Sequence, residues 1–191
     1  MTEFEKMLAG ENYNSRDPEL LAIYHRSKAL MKDFQLLDTE DLDNKKALLK
    51  KIFGKIGPHV WVEAPFYIDY GVNIEIGDHS FIHTNSVFLD SNKITIGKNA
   101  LIGPGVHFYT AGHPLQSKER IVEKNGEISY LTHSQPIYIG DDVWIGGNSC
   151  IMPGVQIGNG VTIGAGSVVT HNLPDRVLAF GNPCQIIRKL D

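Results

Sequence analysis

The sequence predicts a mainly β chain wound as a stacked parallel coil, with a helical cap at its N-terminal end. Three observations predict it. From Ile139 onward aliphatic residues fall six apart, at Ile139, Ile145, Ile151, Ile157, Ile163 and Val169, and glycine follows four of them (Gly140, Gly146, Gly158, Gly164). A period of six divides by two, so these residues share one face of extended chain, and it does not fit the 3.6 of a helix. Small residues recur four places after each aliphatic, at Val143, Ser149, Val155, Val161 and Ser167, where a tight bend lets chain stack on chain. Most of the 19 glycines lie between Gly71 and Gly181, whereas the first 57 residues hold few. Stacked hexads bury an Ile ladder that no single turn could bury.

The N-terminal region, residues 1–57, reads as helix. Thr2 and Glu5 have capping-box spacing for a short helix ending near Gly10. Asp17-Pro18-Glu19 supplies an N-cap, a first-position proline and a first-turn acid. The helix that follows has the apolar face Leu20, Ile23, Tyr24, Ser27, Leu30, Met31, Phe34, Leu37. A third, with Leu42, Leu49, Ile52, Phe53 and Ile56, is expected to run to the Gly57-Pro58 stop. These one-sided helices read as a cap over the coil rather than a separate binding module.

Residues 58–191 read as the coil. Its early part repeats less cleanly: Ile76, Ile82, Phe88 and Ile94 are six apart, then a two-residue slip resets the count to Ile96, Ile102 and Phe108. Hexads are absent over 112–135, a polar excursion opening on His113-Pro114-Leu115-Gln116; such a long loop inside a regular solenoid is either functional or an indel of no consequence, and its position directly after His113 favours function. Leu173-Pro174 breaks the ladder, and Gly181-Asn182-Pro183 turns the chain into a last strand, Gln185 to Lys189.

Composition excludes several classes. With 22 acids against 18 bases and no long block of like charge, nothing draws the chain to nucleic acid. The start, Met1-Thr2-Glu3-Phe4-Glu5-Lys6, is charged, and no stretch nears the roughly 18 apolar residues of a membrane span, so a cytoplasmic location is expected. Cys150 and Cys184 read as reduced thiols.

The chain resembles the hexapeptide acyltransferases, within them the galactoside and maltose O-acetyltransferase group, which includes nodulation acetyltransferases. The resemblance rests on Met7-Leu8-Ala9-Gly10, Asp69-Tyr70-Gly71, Ile76-Gly77, Gly112-His113-Pro114, Val143-Trp144-Ile145-Gly146, Pro153-Gly154-Val155, Gly164 through Thr170, and Gly181-Asn182-Pro183, in that order. It implies a left-handed parallel β-helix, a homotrimer with sites between subunits, and direct attack of an acceptor hydroxyl on acetyl-CoA with no metal required. No cysteine or serine sits in a nucleophile setting, which agrees.

On this resemblance His113 is the catalytic base, and the chemistry needs one, since an alcohol attacks poorly until its proton is removed. Glu127 and Asp90 are candidates to orient its ring. His83 stands where the family commonly has Asn at the oxyanion and acceptor; an imidazole can still donate there, and Asn85 is the other candidate. Ser15, Asp69 and Ser91 match acceptor-contacting positions. Gly147, Ala165, Thr170, His171 and Arg188 match the CoA groove, where His171 and Gln185 replace cations of some relatives, so a weaker or more salt-sensitive grip on the nucleotide is expected. Trp144 is expected on the outside of the coil, at a subunit contact or along the groove, with the contact favoured. A small sugar acceptor fits the cap, with serine or an antibiotic hydroxyl as rival acceptors. A zinc enzyme of the carbonic anhydrase type, using His83, His107 and His113, and a non-catalytic binding solenoid are the rival classes.

Overall fold

The repeats fold into three parallel sheets that form the sides of a triangular coil. The computed structural model describes every residue except Asn125, and every side chain except those of Lys124, Asn125 and Glu127. The first face stacks Lys55–Ile56, Ile74–Ile76, Ile94–Ile96, Ile137–Ile139 and Gln156–Ile157. The second stacks Trp61–Val62, Phe81–Ile82, Leu101–Ile102, Trp144–Ile145, Thr162–Ile163 and Val177–Phe180, with Gln185–Lys189 antiparallel at its end. The third stacks Tyr67–Ile68, Val87–Leu89, His107–Tyr109, Cys150–Ile151 and Val168–Val169.

Register puts the periodic residues directly above one another. Ile76, Ile96, Ile139 and Ile157 align on the first face, and Val62, Ile82, Ile102, Ile145 and Ile163 on the second. On the third, Phe88 and Phe108 stack with ring centroids 5.0 Å apart and planes 8° from parallel. All of these are buried. Gly146 shows why glycine follows the ladder: a Cβ there would lie 2.4 Å from the Ala165 backbone nitrogen of the next turn. Ile145 has no exposed surface, so Ile145→Val, losing one methylene, is expected to lower the unfolding free energy by about 1 kcal/mol, read by denaturant titration.

The two-residue slip has a structural cause. The lower turns take twenty residues, as from Ile76 to Ile96, and the upper ones eighteen, as from Ile139 to Ile157. The extra length sits at one corner, between third and first faces, at 69–73 and 90–93, and the excursion 112–135 leaves from that corner one turn higher. Stacking ignores the excursion: Ile94–Ile96 pairs directly with Ile137–Ile139. The excursion holds an antiparallel hairpin, Ile121–Lys124 with Glu127–Tyr130, and its base is closed by Ala111–Gly112 against His133–Ser134.

Three helices cap the coil: α1 (Glu3–Ala9), α2 (Pro18–Leu36) and α3 (Leu42–Ile52). The Thr2/Glu5 capping box and the Asp17 cap both form, and Gly10 ends α1 at φ 77°. The third helix stops five residues before the expected Gly57-Pro58. Phe53 is its C-cap and Lys55–Ile56 is already the first strand, because Ile56 serves the coil's Ile ladder rather than a helical face. Phe34, Leu49, Ile52 and Phe53 join Phe66 and Ile68 in the main core. No helix among the described residues is long and apolar enough to cross a membrane.

Candidate active site

The wide corner, the cap and the base of the excursion meet in an open cleft of about 280 Å³. Ser15, Asp69, Ser91 and His113 all line it, joined by Tyr13, Leu21, Tyr24, Tyr70 and Thr132. Helix α1 is tied to this corner through its last carbonyls, which side chains of the coil and the excursion reach. Asn92 Nδ2 donates to the Met7 and Leu8 carbonyls at 3.3 and 3.2 Å, and Ser134 Oγ donates to the Met7 carbonyl at 2.6 Å. The Tyr13 amide donates to the Thr132 carbonyl at 3.3 Å, so the segment bearing Ser15 is pinned to the excursion.

His113 is exposed, and its Nδ1 lies 2.8 Å from the carbonyl oxygen of Leu131. A carbonyl can only accept, so Nδ1 carries the proton and the lone pair is on Nε2. The orienting group is therefore a backbone carbonyl. Asp90 does not serve: its carboxylate is wholly buried and accepts from the Asp69 amide at 3.0 Å, Tyr70 at 2.9 Å and Gly71 at 2.6 Å. Burial, against those amides and assisted by the charge of Asp69, pushes its carboxyl up to about 7. The side chain of Glu127, the other candidate, lies outside the described residues.

The three amides held by Asp90 set the turn that carries Asp69 into the cleft. Burial raises the Asp69 carboxyl above its ordinary value despite Lys28, whose Nζ lies 3.6 Å away. Lys28 also donates to the Ile68 carbonyl and sits over the Tyr24 ring at 4.6 Å. Burial likewise raises the Tyr13 phenol, and takes that of Tyr70 above the ordinary tyrosine range. Sequence reasoning missed Tyr13, Tyr24 and Thr132 as cleft walls. Asp69-Tyr70-Gly71 was the one signal that pointed at Tyr70.

The other predicted residues lie away from the cleft within one chain. His83 and Asn85 stand at the corner between second and third faces, across the third face from it. His83 Nδ1 accepts from the Thr84 amide at 2.7 Å, so a neutral ring carries its proton on Nε2, free to donate. Gly147 and Ala165 continue the same corner upward: the Gly166 amide donates to the Gly147 carbonyl at 2.9 Å. Thr170 and His171 lie at the upper end of the third face, where Thr170 Oγ1 is 2.8 Å from His171 Nδ1, and Arg188 is exposed on the last strand. Trp144 is exposed on the second face. His107 is engaged by the Tyr109 hydroxyl, and His83, His107 and His113 form no metal-spaced group within one chain among the described residues.

Comparison with known proteins identifies the family. Residues 6–57 match the model of the maltose acetyltransferase hexapeptide capping motif, and residues 136–171 that of the bacterial transferase hexapeptide, six repeats. The chain is 38% identical over 187 residues to galactoside O-acetyltransferase of Escherichia coli strain K12, covering 98% of this chain and 89% of that protein. It superposes with TM-score 0.93 and 40% identity on the crystal structure of a maltose O-acetyltransferase from Clostridium difficile 630, covering 100% and 98% of the two chains. A hexapeptide-repeat acetyltransferase from Vibrio cholerae O1 biovar eltor, complexed with acetyl coenzyme A, matches at TM-score 0.89 and 40% identity over the whole of both chains. With the cap, the repeats and full-length likeness to such enzymes, the chain belongs to the hexapeptide-repeat acetyltransferases of the maltose and galactoside O-acetyltransferase group.

Proposed function

We propose that the chain transfers the acetyl group of acetyl-CoA to a sugar hydroxyl by direct attack, with His113 as general base. The observation that carries this reading is the Nδ1 bond to Leu131, which leaves the His113 Nε2 lone pair in a cleft shared with Ser15, Asp69 and Ser91. Nε2 takes the hydroxyl proton as the oxygen bonds to the thioester carbonyl carbon; the C–S bond then breaks and the same imidazolium protonates the departing thiolate. Asp69, Ser15 and Ser91 hold the acceptor's other hydroxyls, and the Tyr13, Tyr24 and Tyr70 rings give its apolar faces a wall.

The His83 Nε2–H is the complementary group, a donor for the tetrahedral oxyanion. His83, Asn85 and Gly147 lie on one edge of the third face and the His113 cleft on the other. This split supports a homotrimer in which one subunit's cleft meets its neighbour's His83 corner, with the CoA groove between them along Gly147, Ala165, Thr170, His171 and Arg188. The exposed Trp61, Leu101 and Trp144, in one row of the second face with Phe81 between the first two, supply apolar area for such contacts. The CoA-bound state of the Vibrio cholerae relative supports acetyl-CoA as donor.

The test is thiol release from acetyl-CoA across a panel of mono- and disaccharides, with serine and an aminoglycoside as non-sugar acceptors. Acetylated sugar is the expected product. Thiol release that is faster with serine or the aminoglycoside than with every sugar overturns the acceptor assignment.

A further inference from the structure

At the corner between first and second faces, acidic or amide side chains tie each turn to the one below. Asp141 Oδ1 accepts from the Lys98 amide, Asn159 Oδ1 from the Asp141 amide and Asp175 Oδ1 from the Asn159 amide, each at 2.8 Å. Asp78 holds the same place two turns below Asp141: the Asn99 amide donates to the Asp78 carbonyl and the Asp142 amide to the Lys98 carbonyl. Beneath Asp78 the position is Pro58, whose carbonyl accepts from the His79 amide. Proline has no N–H to donate. Asp78 Oδ1 is accordingly buried without a hydrogen-bond partner among the described residues. A buried carboxylate oxygen in that state requires an explanation.

Two imidazoles stand beside it. His59 and His79 occupy the next position on the first and second turns, at φ 59° and 58°, so the corner aims both side chains alike. Their rings stack with centroids 4.8 Å apart and planes 9° from parallel, and both are exposed. His79 Nε2 lies 3.5 Å from Asp78 Oδ2. One ligand atom from each of the three residues lies within 4.8 Å of the other two. Two ligands on one tetrahedral zinc ion sit about 3.3 Å apart, so the Asp78–His79 pair is close to ligating distance and a turn of the His59 ring about its side-chain bonds brings in the third.

We propose that His59, Asp78 and His79 form a binding site for a divalent transition metal of the zinc class, with water in the fourth position. Two imidazoles and a carboxylate are a donor set that selects such ions over calcium or magnesium. The ion binds through Oδ2, the oxygen nearer His79, and its charge offsets a carboxylate whose Oδ1 Pro58 leaves without a donor. It bridges the first and second turns where the cap joins the coil. The site shares no residue with the His113 cleft, so the metal is a staple and takes no part in acetyl transfer.

The test uses the full-length protein after chelator treatment, titrated with Co²⁺ and then Zn²⁺. One equivalent of Co²⁺ per chain is expected to give the visible absorption of a tetrahedral site, Zn²⁺ to displace it, and saturating Zn²⁺ to raise Tm. His59→Asn and His79→Asn keep a residue that tolerates positive φ, and each is expected to weaken binding at least about tenfold. Absence of binding at millimolar Co²⁺ overturns the proposal. Unchanged affinity in the double variant also overturns it, as does loss of the signal in His113→Ala with its retention in His59→Asn, which would put the ion in the cleft.

Discussion

Replacing His113 with alanine is expected to lower acetyl-transfer kcat by about 10²- to 10⁴-fold while the protein keeps its fold, the range for removing a positioned general base. The side chain is exposed and its one side-chain hydrogen bond among the described residues, to the Leu131 carbonyl, joins two parts of the excursion, so truncation costs little stability. His113→Asn separates ring orientation from proton transfer: its amide can still reach a carbonyl but cannot take a proton near neutral pH. Both variants should lose kcat alike and leave the KM for acetyl-CoA close to wild type, because the proposed CoA groove lies along other residues. Steady-state kinetics with separately varied donor and acceptor check this. A His113→Ala enzyme of near wild-type kcat would show that another group is the base.

The strict hexads from Ile139 to Val169 are legible because a solenoid repeats one environment, and the same side-chain type satisfies it each time. His113 and the excursion are legible for the opposite reason, as the place where the repeat stops. What stayed hidden belongs to the backbone. The Leu131 carbonyl that orients His113 is available in any residue type, so no side-chain pattern announces it. The helix-to-coil boundary was also hidden, because Ile52, Phe53 and Ile56 suit both a helical face and a strand, and only stacking of Lys55–Ile56 on Glu75–Ile76 decides. The slip between Ile94 and Ile96 was visible but carried no evident meaning until the turn lengths showed that its two extra residues widen the corner where Asp90, Ser91 and Asn92 serve the cleft. Asp90 read as a candidate to orient His113, whereas its carboxylate is turned under the Asp69 turn.

Asp90→Ala is expected to be the most destabilising single change at this corner, by about 3–9 kcal/mol, since the amides of Asp69, Tyr70 and Gly71 lose their acceptor together and each buried donor left unpaired costs about 1–3 kcal/mol. Asp90→Asn keeps the shape and one accepting oxygen but turns an NH₂ toward one of the amides, so its cost is smaller, about 1–3 kcal/mol. Both changes free the turn that carries Asp69, and the KM for the acceptor should rise while that for acetyl-CoA stays, a split that general destabilisation would not produce. The pH dependence follows from the direction of the shift. Burial lifts the folded-state carboxyl from 3.8 to about 7, so its contribution to stability is full below about pH 4 and is lost as pH rises through about 7. Asparagine does not titrate, so the stability gap between wild type and Asp90→Asn should be widest near pH 4 and narrow towards pH 7. Denaturant unfolding at both pH values measures it; a gap that widens over that interval would mean that the three amides outweigh burial and hold Asp90 charged throughout.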